Sequence, residues 1–247
     1  MSGIFTDSAM LRAVGDQSDQ SQTDQPRATV PLTAAAPDGP ARGGIVVLHE
    51  SRRFTDAVLD LMRLLAGEGW LTVAPHLFHR QPGDLEVEVF GDNLFADFDA
   101  AFDWLVARGV YADCVGVLGF DDAGTAALLV ATNRPVGAAV SVAARGIVEP
   151  LRADTPALVD ALASLQAPWL GLYGEDDPRT PPAHVERLRD ASARAPVATH
   201  VVSYRGLAHR ADEPTQLPDN GDDDDPDVQA IMDAQRRIFD WFDGNLR

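Results

Sequence analysis

Three residues that could together carry out nucleophilic catalysis are far apart in the chain, and each follows a run of apolar residues. Asp121 comes directly after CVGVLGF, Asp177 comes shortly after PWLGLYG, and His209 comes shortly after THVVSY. A carboxylate can attack carbon, and a histidine oriented by a second carboxylate can take a proton from water. If the three residues meet, the sequence predicts a hydrolytic site. Asp121 would be its nucleophile, His209 its general base and Asp177 its orienting acid.

The segments between these residues alternate between strand-like and helix-like patterns. Short apolar runs predict strands over 28–35, 44–49, 70–75, 114–120, 136–142, 168–174 and 199–204, the first of them at the sheet edge. Amphipathic or small-residue runs predict helices over 54–70, 93–109, 123–133, 156–166, 183–194 and 228–242. This alternation indicates an α/β fold, in which a mostly parallel central sheet is covered by helices on both faces. Functional residues then gather where the parallel strands end.

Two tracts of the chain are strongly polar. GDQSDQSQTDQPR has almost nothing to bury, which predicts a flexible extension over 1–27 and a single domain over 28–247. The acidic run PDNGDDDDPD (218–227) could bind a hard cation, but it lacks the spacing of a calcium loop. We interpret it as a solvated loop and predict no metal site.

The charge and the single cysteine exclude several kinds of partner. The chain has 38 acidic and 20 basic residues, a formal charge of −18, which disfavours nucleic acid and anionic membranes. Cys114 alone allows neither an intramolecular disulfide nor a thiolate zinc cluster. Neither a signal-peptide pattern nor an apolar stretch of about 18 residues is present. We therefore expect a cytoplasmic monomer or homodimer that acts on a small molecule without a cofactor.

Four local motifs, in this order, resemble those of the dienelactone hydrolase family of α/β-hydrolases. They are VVLHE, VAPHLFHR, LYGEDDPRTP and YRGLAH; the third fits the family's Gly-x-x-Asp-x-x-x-Pro through Gly174, Asp177 and Pro181. The nucleophile, acid and histidine also follow one another in the α/β-hydrolase order. The resemblance covers roughly residues 28–245. It implies an α/β-hydrolase fold without a large cap domain, and a hydrolytic activity.

The resemblance also implies roles for residues around the predicted nucleophile. Glu50 and Arg80 would lie at the substrate, and the backbone N–H groups of Ser51 and Asp122 would form the oxyanion hole. The chain departs from the family at the centre of the site. The family's elbow reads Gly-x-Cys-x-Gly-Gly, and here it reads GFDDAG (119–124), with Asp121 in place of the cysteine.

An elbow carboxylate leaves several functions open. Attack on an ester or lactone would give an anhydride, whereas attack on saturated carbon would displace a halide or open an epoxide. Two observations oppose this chemistry. Residues 142–167 contain no Trp, Tyr, His or Asn to stabilise a leaving group, and nearby carboxylates could keep Asp121 protonated. The alternative is a catalytically inactive family member that binds a ligand or a partner.

Overall fold

A single eight-stranded sheet forms the centre of the molecule. The computed structural model describes residues 3–12, 28–50, 54–80, 90–208 and 226–246. The strands are Ile4–Met10 (β1), Thr29–Ala35 (β2), Gly43–Leu48 (β3), Trp70–Pro75 (β4), Val115–Phe120 (β5), Ala138–Val142 (β6), Trp169–Gly174 (β7) and Thr199–Tyr204 (β8). Their order in the sheet is β1-β2-β4-β3-β5-β6-β7-β8. Strands β3 to β8 are parallel, and β1 and β2 pair antiparallel at one side.

Helices cover both faces of this sheet, as predicted. They are Asp56–Gly67 (α1), Asp92–Val106 (α2), Asp122–Asn133 (α3), Leu158–Ala161 (α4), Pro182–Ser192 (α5) and Pro226–Asn245 (α6). Helices α1 and α6 pack on one face, and α2 to α5 pack on the other. Every residue of β3 to β7 is buried, because both faces of these strands are covered. This burial explains why the strands read as continuous apolar runs.

The connection between β6 and β7 carries no large cap domain. It contains only the one-turn helix α4 and a short 3-10 turn over Leu162–Ser164, where the sequence predicts one helix over 156–166. The described part of the chain also includes no helix long and apolar enough to cross a membrane. Most of the acidic run 218–227 is outside the described residues.

The amino-terminal segment differs from the sequence-based prediction. Within 1–27, for which a flexible extension is predicted, β1 forms a seven-residue edge strand paired from Ile4 with Ala35 to Met10 with Thr29. The strand over 28–35 is consequently second from the edge. Residues distant in the sequence contact β1. The Asp7 carboxylate accepts hydrogen bonds from Trp104 Nε1 at 3.0 Å and from Arg108 Nη2, just after the end of α2. Composition could not reveal these contacts, because they come from residues about a hundred positions away.

Candidate active site

Asp121 lies at a sharp turn between β5 and α3. Its backbone has φ 52° and ψ −122°, a left-handed conformation that is rare for a residue other than glycine. A Cβ atom on Gly119 would lie 2.0 Å from the carbonyl oxygen of Ala123, so only glycine permits this close return of the chain. The Asp121 side chain is buried. The local sequence therefore builds a strained strand-to-helix turn with a carboxylate at its tip.

An arginine links the Asp121 carboxylate to Asp177, the predicted orienting acid. Asp177 is buried in the turn after β7, where Arg179 donates to its Oδ1 from the backbone N at 2.9 Å and from Nε at 3.2 Å. Arg179 Nη2 lies 3.3 Å from Asp177 Oδ2 and also 3.3 Å from Asp121 Oδ1. The Arg179 guanidinium thus bridges two carboxylates that are 56 positions apart in the sequence.

Arg179 was not predicted as a site residue. Its position in the sequence could have indicated this role, because Arg179 is the basic residue closest to the acidic run Glu175-Asp176-Asp177. Buried carboxylates that meet in one place need a positive partner.

Glu50 reaches the beginning of α3 from the end of β3. The backbone N–H of Asp122, which was predicted as an oxyanion-hole donor, donates to Glu50 Oε2 at 3.2 Å. Burial of Glu50, and next the negative charges of Asp121 and Asp122, raise the pKa of the Glu50 carboxyl group. Glu50 thus occupies the N–H group that a developing oxyanion would use.

Arg145 is the second arginine that sequence analysis did not identify. Its Nε donates to Asp122 Oδ1 at 2.6 Å, and its Nη2 lies 2.5 Å from Asp122 Oδ2, which is a two-pronged pair. The Arg145 carbonyl oxygen accepts a hydrogen bond from Thr125 Oγ1 at 2.7 Å. Two residues before Arg145, Ala143 has a backbone φ of 51°. Among the described non-glycine residues, only Ala143 and Asp121 have a positive φ. The end of β6 is therefore fastened to the first turn of α3.

Arg80 lies in the turn after β4, and its guanidinium contacts a different carboxylate. It donates to both oxygens of the buried Asp97, at 2.7 and 2.6 Å, and His79 Nε2 lies 3.3 Å from the same group. His76, in the same turn, pairs with Thr33 Oγ1 at 2.9 Å. These contacts join Arg80 to Asp97 and not to Asp121. The substrate-binding role of Arg80 remains a prediction.

Two predicted site residues, Ser51 and His209, lie outside the described residues, so their roles also remain predictions. The described part of the loop after β8 ends at residue 208. The Asp176 N–H donates to the Leu207 carbonyl at 3.0 Å, and the Glu175 N–H donates to the Tyr204 carbonyl at 2.8 Å. The loop after β8 is thus joined to the loop that carries Asp177. Among the described residues, no group of three or more His, Cys, Asp or Glu is arranged to hold a metal ion.

The sequence of the chain matches one protein family. The model of the Dienelactone hydrolase family matches residues 30–246. A protein of Methylorubrum extorquens named "Putative carboxymethylenebutenolidase" is 30% identical over 230 residues, with 82% of this chain and 74% of that protein covered. A Yersinia pestis protein of the same name is 28% identical over 214 residues, with 80% and 76% covered.

Among solved structures, the chain is similar to a "Putative Dienelactone Hydrolase" of Klebsiella pneumoniae. The TM-score is 0.76 at 25% identity, and the match covers 98% of this chain and 99% of that one. The family match, the strand order and the turn at Asp121 agree with one another. The chain therefore belongs to the dienelactone hydrolase family and is a hydrolase of the α/β-hydrolase superfamily.

Proposed function

We propose that this hydrolase uses Asp121 as a covalent nucleophile and cleaves a small organic substrate at saturated carbon, by displacing a halide or opening an epoxide. The observation that carries the proposal is the position of the Asp121 carboxylate at the strained elbow, 3.3 Å from the Arg179 guanidinium. A positive charge at that distance favours the ionised carboxylate, which is the nucleophilic form.

The guanidinium groups of the cluster support an ionised Asp121. Four carboxyl groups meet two guanidinium groups, and each of the three aspartates is within 3.5 Å of a guanidinium nitrogen. The pKa is raised at Glu50, which accepts a hydrogen bond from the Asp122 backbone N–H. We therefore expect Glu50 to carry a proton in this cluster.

The first chemical step follows from a carboxylate at the elbow. An Asp121 oxygen attacks the substrate carbon, and the electron pair of the broken bond leaves with the halide or stays on the epoxide oxygen. Residues 142–167 contain no Trp, Tyr, His or Asn donor for that oxygen. Glu50 is half-buried beside the elbow and its pKa is raised, so its protonated form can supply the proton. The product is an alkyl ester on Asp121.

The second step returns the enzyme to its starting state. His209 takes a proton from water, and the hydroxide adds to the Asp121 ester carbonyl. Once Glu50 has moved away, the Asp122 N–H is available to the resulting oxyanion, together with the N–H of Ser51. Collapse releases the alcohol, which takes the proton from His209. For an epoxide, the Asp121 acid then reprotonates Glu50, so one water is consumed and a diol is formed. For a halide, the Asp121 acid releases its proton to solvent, so one water is consumed and an alcohol, a halide ion and a proton are formed.

Asp177 would orient His209 through a hydrogen bond between its carboxylate and an imidazole N–H, while Arg179 holds the same carboxylate in place. The hydrogen bonds between the loops after β7 and β8 support this pairing, because they bring the Leu207 carbonyl to Asp176.

The alkyl ester is the species to detect. A His209→Ala variant incubated with halogenated acids, epoxides and lactones should accumulate a mass increase on the peptide that contains Asp121. The matched control is His209→Ala combined with Asp121→Asn, which should gain no mass. If no substrate gives either an adduct in the variant or turnover in the wild type, the proposal is wrong. The catalytically inactive alternative would then be preferred.

A further inference from the structure

The described arginines at the carboxyl ends of the parallel strands are paired with carboxylates of the protein itself. Arg80, after β4, holds both oxygens of Asp97, and Arg145, after β6, holds both oxygens of Asp122. Both pairs are two-pronged, which is also the geometry in which an arginine binds a substrate carboxylate. A substrate carboxylate would have to compete with an internal partner that is already in place.

Arg179 and Arg205 are no better suited to bind an anion. Arg179, after β7, contacts Asp177 and Asp121, and neither carboxylate can give up that contact without remaining buried next to other negative charges. Arg205, after β8, is exposed and lies 3.5 Å from Glu175.

The charge balance at the elbow points the same way. Even with Glu50 protonated, Asp121, Asp122 and Asp177 outnumber Arg145 and Arg179 by three to two. The whole chain carries a formal charge of −18, so the surrounding field does not reverse the local sign. A substrate carboxylate brought to this place would meet like charges in a partly buried environment, where screening by water and salt is weak.

We propose that the active site selects uncharged substrates and discriminates against those that carry a carboxylate beside the reacting carbon, because its described arginines are neutralised internally. This inference rests on the proposed function and specifies the substrate class. The name of the relatives from Methylorubrum extorquens and Yersinia pestis refers instead to a carboxymethylene compound. Arg52, Arg53 and Arg210 are outside the described residues, and the experiment includes them because it uses the whole chain.

The test compares substrates of the same shape and different charge. 3-Phenylglycidamide and 3-phenylglycidate differ only in an amide and a carboxylate. We expect the amide to label the His209→Ala variant about tenfold faster or more, since like charges brought together in a site repel each other. Added salt screens the long-range field of the −18 chain, which repels an anion before it enters the site, so it should speed labelling by the carboxylate partly and leave labelling by the amide unchanged. Equal or faster labelling by the carboxylate would overturn the inference while leaving the proposed nucleophile intact.

A binding measurement separates failure of the inference from failure of the proposed function. Calorimetric titration of the wild type with 3-phenylpropionamide and with 3-phenylpropionate requires no reaction. If neither epoxide labels Asp121, the nucleophile proposal is wrong, and this titration alone decides the substrate class. Tighter binding of the amide supports the inference. Equal or tighter binding of the carboxylate, or no measurable binding of either compound, overturns it.

Discussion

Arg179 bridges to Asp121 across the active site, with its Nη2 atom 3.3 Å from Asp121 Oδ1, and the same guanidinium is hydrogen-bonded to Asp177. The arginine side chain is 37% exposed, while both carboxylates are almost fully buried. A partly exposed cation therefore contacts two buried acids at once. This relationship distinguishes the site from a nucleophile and acid that communicate through a histidine alone.

Replacing Arg179 by Gln should slow alkylation of Asp121 about tenfold, because the guanidinium that holds the Asp121 and Asp177 carboxylates together is lost and a misplaced nucleophile reacts slowly. Arg179→Lys should recover part of the rate. The control is Arg187→Gln on the exposed face of α5, which makes the same change in net charge. Rates of labelling measured by mass spectrometry provide the comparison, and a wild-type rate in Arg179→Gln would contradict the assigned role.

Glu50→Gln should make the protein more stable than the wild type at neutral pH, and this advantage should disappear in acid. Burial and the neighbouring aspartates raise the pKa of Glu50, so folding disfavours its ionised form. The wild type therefore loses stability as the pH rises through the raised pKa, whereas Gln has no charge to bury. Melting temperatures measured from pH 4 to pH 8 would show the two curves separating with rising pH.

The control for this experiment is Glu149→Gln, which changes an exposed carboxylate outside the cluster. Its melting curve should follow that of the wild type. Parallel curves for Glu50→Gln and wild type across the whole range would show that folding does not penalise the Glu50 charge.

Asp121→Cys should acquire esterase activity toward activated esters such as p-nitrophenyl acetate. A thiolate attacks carbonyl carbon readily, and the elbow and the N–H of Asp122 would remain in place. Release of p-nitrophenol measures the gain, and Asp121→Ser serves as a weaker nucleophile in the same position. A variant that folds and remains inactive would indicate that the surrounding pocket no longer supports acyl transfer.

Gly119→Ala should destabilise the protein by about 3 kcal/mol or more, because overpacking against backbone cannot relax through a rotamer change. The added Cβ would lie 2.0 Å from the Ala123 carbonyl oxygen. Gly39→Ala is the matched control, since a Cβ there meets nothing within 4 Å. Urea unfolding of both variants provides the comparison, and a wild-type midpoint for Gly119→Ala would contradict the described elbow.

Asp7→Ala should loosen the edge strand β1 and expose Trp104, whose indole N–H donates to the Asp7 carboxylate. We expect a lower melting temperature and a red shift of tryptophan fluorescence. Asp190→Ala, on the exposed side of α5, removes the same charge and should change neither. If Asp7→Ala also changed neither, the prediction of a flexible extension over 1–27 would regain support.

Sequence patterns were sufficient wherever a local signal reflects the environment. The continuous apolar runs of β3, β5 and β7 predicted a parallel core, because strands covered on both faces have no polar side to show. Parallel strands end at the same edge of the sheet, which predicted that Asp121 and Asp177 lie close together, and both contact the Arg179 guanidinium. The place of His209 stays a prediction.

Other features depend on contacts between distant segments. The sequence by itself determined the family, the alternation of strands and helices, and the carboxylate that follows β5. Only the tertiary structure decided which arginine meets which carboxylate: Arg179 with Asp121 and Asp177, Arg145 with Asp122, and Arg80 with Asp97. Charge pairing depends on distances in space across turns of several strands, and a periodic pattern along the chain contains no record of those distances.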